Sequence, residues 1–312
     1  MKAGPVGEVQ SPREALCDED EILRAISAEP DAPNEFAQRD ELHRLWPIYF
    51  VGDSRAIVFR NRLYVSPHTY RPYELRSVYL RNLHAVDFYS VQRGLNAPLT
   101  NALATDVATV SSNGGFRWSA NRLDYEREPD GSRFEHGPAP LVLFCGSFDC
   151  MRVLDELGPD ADVAAWDDAS RRCEVTSAPS SRVVPVDEVR RRMFEVLEPF
   201  ASGIRYLRGI GFERIFVHGY GRARTVDSFG RIDQGLKFLR QYHPNAWGKI
   251  RIVLDQELRS IAQRTGARFI AGVVSEDGKT SREYTWDAVH YNLRGALEVV
   301  RAVVDVLEGV VE

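Results

Sequence analysis

Trp46-Pro47-Ile48-Tyr49-Phe50-Val51-Gly52-Asp53-Ser54 is a short run of aromatic and β-branched residues halted by Gly-Asp-Ser. A segment this short and apolar reads as a buried strand rather than a helix. A strand that ends on a glycine and a serine delivers a hydroxyl to the C-terminal edge of a sheet, where open α/β folds keep their ligand crevice. Ser54 is therefore the candidate nucleophile. The competing reading is structural, because Asp-Ser after a strand equally makes a turn and a helix N-cap.

Near the other end, Glu283-Tyr284-Thr285-Trp286-Asp287-Ala288-Val289-His290-Tyr291-Asn292 supplies what a serine lacks. A hydroxyl is a poor nucleophile at neutral pH unless a base takes its proton, and imidazole suits that task. An Asp three residues before a His reaches its Nδ1 when the segment makes one helical turn, leaving Nε2 to face a serine. Asp287 as a turn cap and His290 as a surface residue are each plausible alone. Their coincidence with Gly-Asp-Ser favours chemistry.

With these residues the chain resembles the SGNH or GDSL hydrolases, whose first block carries the nucleophile in Gly-Asp-Ser and whose last carries Asp-x-x-His. Tyr284-Thr285 and Tyr291-Asn292 also look like that family, and the likeness runs in order from about Pro47 to the C-terminus. The Gly-x-Ser-x-Gly elbow of α/β-hydrolases is absent at Ser54. The resemblance implies an α/β fold, a three-layer α/β/α sandwich of flavodoxin-like type with a five-stranded, mainly parallel sheet. It also implies a glycine that donates its backbone N–H to the oxyanion, a role that falls on Gly94 after an expected strand at residues 85–91. The family's Gly-x-Asn-Asp block corresponds to Gly146-Ser147-Phe148-Asp149, with Phe148 in place of the donor Asn. One oxyanion donor is worth about 100- to 1000-fold in rate. Either the Ser54 and Gly94 N–H groups suffice, or Ser147, Arg55 or Arg93 substitutes, or the protein is slow, specialised or inactive. Asp149 keeps a supporting role.

Three further strands are expected at 141–145, 214–218 and 267–274, with helices at 97–110, 186–207, 247–264 and from 293 onward. Residues 111–138 read as an inserted hairpin and 155–184 as a mobile excursion. Helices of crossover length between strands predict a parallel sheet. In such a sheet Ser54, Gly94, Asp149, His218 and the Asp287–His290 loop share one edge. Arg55, Ser147, Asp149, His218 and Arg222 are then the expected substrate contacts, with Arg222, Arg224 and His218 facing a carboxylate or phosphate. Solvated loop arginines are the blander reading of that cluster. Gly219-Tyr220-Gly221 is too short a pattern to indicate a nucleotide.

The chain of 312 residues, 44% of them hydrophobic, can bury a substantial core around one large domain at 47–312. A net charge of −5 argues against a general nucleic-acid or acidic-membrane surface. Only four of the 40 basic residues are lysine, a bias best explained by genomic composition. No apolar run approaches a membrane span or a signal peptide, so a cytoplasmic protein is expected. Cys17, Cys145, Cys150 and Cys173 show neither zinc spacing nor a disulfide framework. Residues 1–46 read as an acidic helical extension that serves packing or dimerisation.

The expectation is a Ser54–His290–Asp287 serine hydrolase that cleaves a small-molecule ester or thioester without metal or cofactor. Two alternatives remain: an acyltransferase using the same triad, and a binding module that has lost turnover.

Overall fold

The computed structural model describes residues 46–106, 109–110, 116–117, 139–173, 182–221, 241–276, 278–287 and 289–311. The expected N-terminal extension falls outside this set except for Trp46, as does the expected hairpin at 111–138 except for Phe116–Arg117, which pairs antiparallel with Thr109–Val110, two residues expected at the end of the helix 97–110 but found extended.

Six strands form the main sheet: β1 (Trp46–Gly52), β2 (Arg62–Val65), β3 (Pro72–Tyr79), β4 (Leu141–Phe144), β5 (Ile215–His218) and β6 (Arg268–Ile270). Their spatial order is β6-β5-β4-β1-β3-β2, with every neighbouring pair parallel except β2 on β3. Without the antiparallel edge strand the order is that of flavodoxin-like sheets, whose switch point lies beside the first strand. The sheet is therefore an α/β sandwich, five parallel strands plus one.

Period-two alternation along the central strands builds the layers. Tyr49 and Val51 of β1, Leu141 and Leu143 of β4, and Ile215 and Val217 of β5 face one core. That core is closed by α2 (Ser147–Leu157), α3 (Val186–Gly209) and α4 (Pro244–Thr265). Ile48, Phe50, Val142, Phe144 and Phe216 face a second core. A 3₁₀ turn at Ser54–Phe59 and α5 (Leu293–Leu307) cover it, with the rings of Phe50 and Phe59 stacked at 3.8 Å. A shorter α1 (Ala97–Asp106) precedes the insertion.

Two expectations need correction. Residues 85–91 do not form a sheet strand: Ala85–Phe88 is a helical turn, followed by a two-residue ribbon that pairs Tyr89–Ser90 with Gly94–Leu95. The second parallel strand is β3 instead. The supposed excursion at 155–184 contains Ala161–Val163 paired in parallel with Arg182–Val184, and a capping box in which Asp167 and Ser170 bond each other's backbone. The described parts of that segment, 155–173 and 182–184, are held by backbone hydrogen bonds.

Candidate active site

Gly52 ends β1 at φ +145°, and a Cβ there would stand 1.9 Å from the carbonyl oxygen of Phe144. Only glycine lets the ends of β1 and β4 come this close. Asp53 then caps the 3₁₀ turn: its Oδ1 accepts the Arg55 N–H at 3.0 Å and its Oδ2 accepts the Tyr220 hydroxyl at 2.6 Å. Burial and the adjacent Asp53 carboxylate push the Tyr220 phenol well above its ordinary value, so it stays a donor. The Asp of Gly-Asp-Ser is thus spent on fixing the serine's turn. Ser54 opens that turn, which leaves its backbone N–H without an intrahelical partner.

Ser54 Oγ lies 2.6 Å from His290 Nε2, and His290 Nδ1 lies 2.6 Å from Asp287 Oδ2. The carboxylate can only accept, so Nδ1 carries the proton and Nε2 is free to receive one from the serine. Asp287 is not on a helical turn as expected. Its Oδ1 accepts the N–H groups of Val289 and His290, while Thr285 bridges Tyr291 and Trp286 N–H donates to the His290 carbonyl. One carboxylate therefore shapes the loop and orients the ring. Burial works to raise the Asp287 carboxyl, but the electrostatic attraction of the His290 ring and these hydrogen bonds outweigh it and hold it below the ordinary carboxylate value. Ser54 is 7% exposed and His290 3%. The partly exposed Trp286 ring stacks on the imidazole at 5.6 Å.

The other expected site residues fare unevenly. Asp149 lies in the first turn of α2 after β4, fully buried, and both its oxygens accept the Ala85 N–H. His84 Nδ1 is 3.7 Å away. Burial raises the Asp149 carboxyl, partly offset by His84. It is a tie between α2 and the loop leaving β3. Ser147 Oγ lies 3.5 Å from Arg251 Nη1. Arg55 is buried, its guanidinium 3.9 Å from the Tyr220 ring centre and 5.5 Å from that of Tyr291. His218 is wholly enclosed between Phe144 and Tyr291. Burial and the Arg55 charge lower its pKa to about 3, so it is neutral and supplies no charge to an anion. Arg222 and Arg224 lie outside the described residues. Gly94, with φ +73°, closes the small ribbon against Ser90 rather than following a sheet strand, so the placement expected for it does not arise.

The chain that does leave the strand beside β1 is the loop after β3. Leu80 N–H bonds the Gly52 carbonyl at 2.7 Å, and two residues later Asn82 takes a left-handed φ of 52°. The Oδ1 of Asn82 is buried and has no partner. The signal of Asn82 in the sequence was a lone Asn after a weak strand. Arg251 was also missed, although Trp247, Arg251, Leu254 and Leu258 fall on one helical stripe; a charge in phase with the apolar residues was the clue.

Among the described residues, no group of three or more His, Cys, Asp or Glu could hold a metal ion, and no helix is long and apolar enough to cross a membrane. Cys145 and Cys150 are buried free thiols.

Fold and site together define a flavodoxin-like sandwich with a hydroxyl, an imidazole and a carboxylate in series at the sheet's C-terminal edge. No protein-family model and no curated protein sequence matches the chain. Among solved structures it is similar to a GDSL-like lipase from Bacteroides thetaiotaomicron, at 12% identity over 95% of this chain and 100% of that one, with a TM-score of 0.40. It is also similar to an extracellular lipase from Streptomyces rimosus, at 10% identity over 84% and 99% of the two chains, with a TM-score of 0.35. A phospholipase A1 from Streptomyces albidoflavus follows at 12% identity, 84% and 98% coverage and a TM-score of 0.34. Similarities of this size carry no inference about activity.

Proposed function

We propose that the protein is a serine hydrolase of the SGNH/GDSL type that cleaves carboxylic esters or thioesters through an acyl-serine. The observation that supports it is the unbroken relay from Ser54 Oγ to His290 Nε2 and from His290 Nδ1 to Asp287, two contacts of 2.6 Å each. His290 takes the Ser54 proton as Oγ bonds to the acyl carbon, then returns that proton to the leaving alcohol as the C–O bond breaks. Water, deprotonated by the same imidazole, attacks the acyl-enzyme and releases the acid. Asp287 stays ionised and holds the ring. Developing charge on the carbonyl oxygen is met by the Ser54 N–H and, in place of the donor expected at Gly94 and of the Asn replaced by Phe148, by the loop carrying Asn82. The same acyl-serine passes its acyl group to another alcohol or amine when such an acceptor excludes water.

An active-site fluorophosphonate forms a covalent bond to an activated serine. Wild-type protein is expected to label and to release p-nitrophenol from p-nitrophenyl esters. Ser54→Ala and His290→Ala are each expected to lose labelling and at least about 10⁴-fold in turnover. Labelling that survives Ser54→Ala sinks the proposal.

A further inference from the structure

Around the Tyr220 ring the fold encloses two guanidinium groups that no carboxylate among the described residues contacts. Arg55 is 1% exposed and Arg251 0%. Arg55 Nε, Nη1 and Nη2 and Arg251 Nε and Nη2 are all buried without a hydrogen-bond partner. Both flank one ring: the Cζ of Arg55 is 3.9 Å and that of Arg251 4.7 Å from the centre of Tyr220. The remaining Arg251 nitrogen only grazes Ser147 Oγ, in the first turn of α2. Burial and the Arg55 charge together lower the pKa of Arg251, and the same Arg55 charge acts on His218.

Unpaired buried charge is among the costliest features a fold can carry. The carboxylates nearby do not remove that cost. Asp53 is occupied by the Arg55 N–H and the Tyr220 hydroxyl, and Asp255 by the N–H groups of Tyr220 and Gly221. Their charges balance the arginines at a distance, but their oxygens fill none of the empty donors. A transient oxyanion needs two or three N–H groups. Here five guanidinium nitrogens lack a hydrogen-bond partner among the described residues, next to a helix N-terminus that also favours negative charge. Arginine forks match the paired oxygens of a carboxylate or phosphate.

We propose that Arg55 and Arg251 form an anion subsite, and that the ester handled at Ser54 carries a carboxylate or phosphate on its acyl or alcohol part. The placing of the ester rests on Ser54 being the nucleophile; anion binding does not. His218, read from sequence as an anion contact, is neutral and plays no part in it. Arg55 could be read from its place after Ser54, but Arg251 joins it only through the fold.

The test compares p-nitrophenyl hydrogen glutarate with p-nitrophenyl valerate, which share acyl length and differ in terminal charge. It also follows the melting temperature of the full chain with free glutarate and with inorganic phosphate. Wild type is expected to prefer the glutarate ester in kcat/KM by about 10- to 100-fold, the worth of a charged hydrogen bond. That ratio should collapse in Arg251→Met and fall partway in Arg251→Lys, which keeps charge without the fork. Ser54→Ala should keep the anion-induced rise in melting temperature, and Arg251→Met should lose it. If Arg251→Met does not fold, Arg251→Lys carries the comparison. A larger response to phosphate than to glutarate assigns the subsite to phosphate esters.

Equal kcat/KM for the two esters, a preference unmoved by either Arg251 variant, or no melting response to either anion overturns the subsite. Turnover of the neutral ester with no anion response leaves the hydrolase standing and removes the subsite. Anion binding with no turnover of any ester does the reverse.

Discussion

Asp287 performs two tasks with two oxygens, and the tasks can be separated. Oδ1 holds the Val289 and His290 N–H groups and so shapes the loop, whereas Oδ2 faces the imidazole. An asparagine keeps a carbonyl oxygen for the first task but presents N–H to the second, which stabilises the wrong tautomer of His290. Asp287→Asn is therefore expected to leave the melting temperature nearly unchanged while kcat falls about 10⁴-fold. A parallel loss of fold, seen by near-ultraviolet circular dichroism, would mean that the loop and not the tautomer failed. Gly52, Asp53 and Ser54 were legible as a unit because each type is chemically constrained at its position: a glycine where the Phe144 carbonyl leaves no room, a capping carboxylate, and a hydroxyl. Arg251 was illegible because a lysine or arginine in a helix is ordinarily a solvated side chain, and its surroundings of Tyr220, Trp247 and Ser147 come from three other stretches or turns of chain.

At the scale of the element, apolar strands announced themselves and half-buried ones did not. Leu141–Phe144 and Ile215–His218 are buried on both faces and read as continuous apolar runs. Strand β3, Pro-Tyr-Glu-Leu-Arg-Ser-Val-Tyr, alternates buried and partly exposed positions and starts on a proline, so its signal is diluted by charge. Residues 85–91 have strand composition, yet Asp149 holds the Ala85 N–H and Phe88 packs edge-on to Phe200 of α3, and these contacts fold the segment into a helical turn. Local propensity yields to such tertiary anchors. The proposed mechanism accordingly takes its second oxyanion donor from the loop that follows β3 and not from the ribbon of Gly94. Asn82→Ala is expected to lower kcat about 100-fold or more with little change in KM. Gly94→Ala, where a methyl group meets nothing within 4 Å, should alter kcat far less and reduce stability through its positive φ. Steady-state kinetics of the two variants discriminates the loops; a larger kcat loss at Gly94 would restore the ribbon as the donor.

For the whole molecule, the two cores on opposite faces make the sheet a partition, and His218 is built into one of them as a neutral ring. In the unfolded chain its pKa is near the ordinary 6.5, and in the fold it is about 3. Between those values the unfolded state binds a proton that the folded state refuses. Stability therefore falls as the medium is acidified below about pH 6.5, with a slope that approaches about 1.4 kcal/mol per pH unit from this group alone. His218→Phe, which keeps an aromatic ring beside Phe144, is expected to flatten that limb between pH 6.5 and 4. Urea unfolding at three pH values in the two proteins measures it, and equal slopes would show that His218 titrates normally. The three-layer plan was readable because strand and helix periodicity repeat along the chain; the side chains that meet across layers were not, because nothing local records their partners.

Ser54 and the imidazole it touches are separated by 236 positions along the chain. During translation the hydroxyl emerges long before the imidazole has been made, and β4, β5 and β6 must all dock before the two can touch. On the proposed mechanism the polypeptide is chemically silent until the segment that follows β6 is in place. Reactivity toward a covalent serine probe should serve as a clock for completed assembly, and any nick that frees the segment after β6 should switch it off.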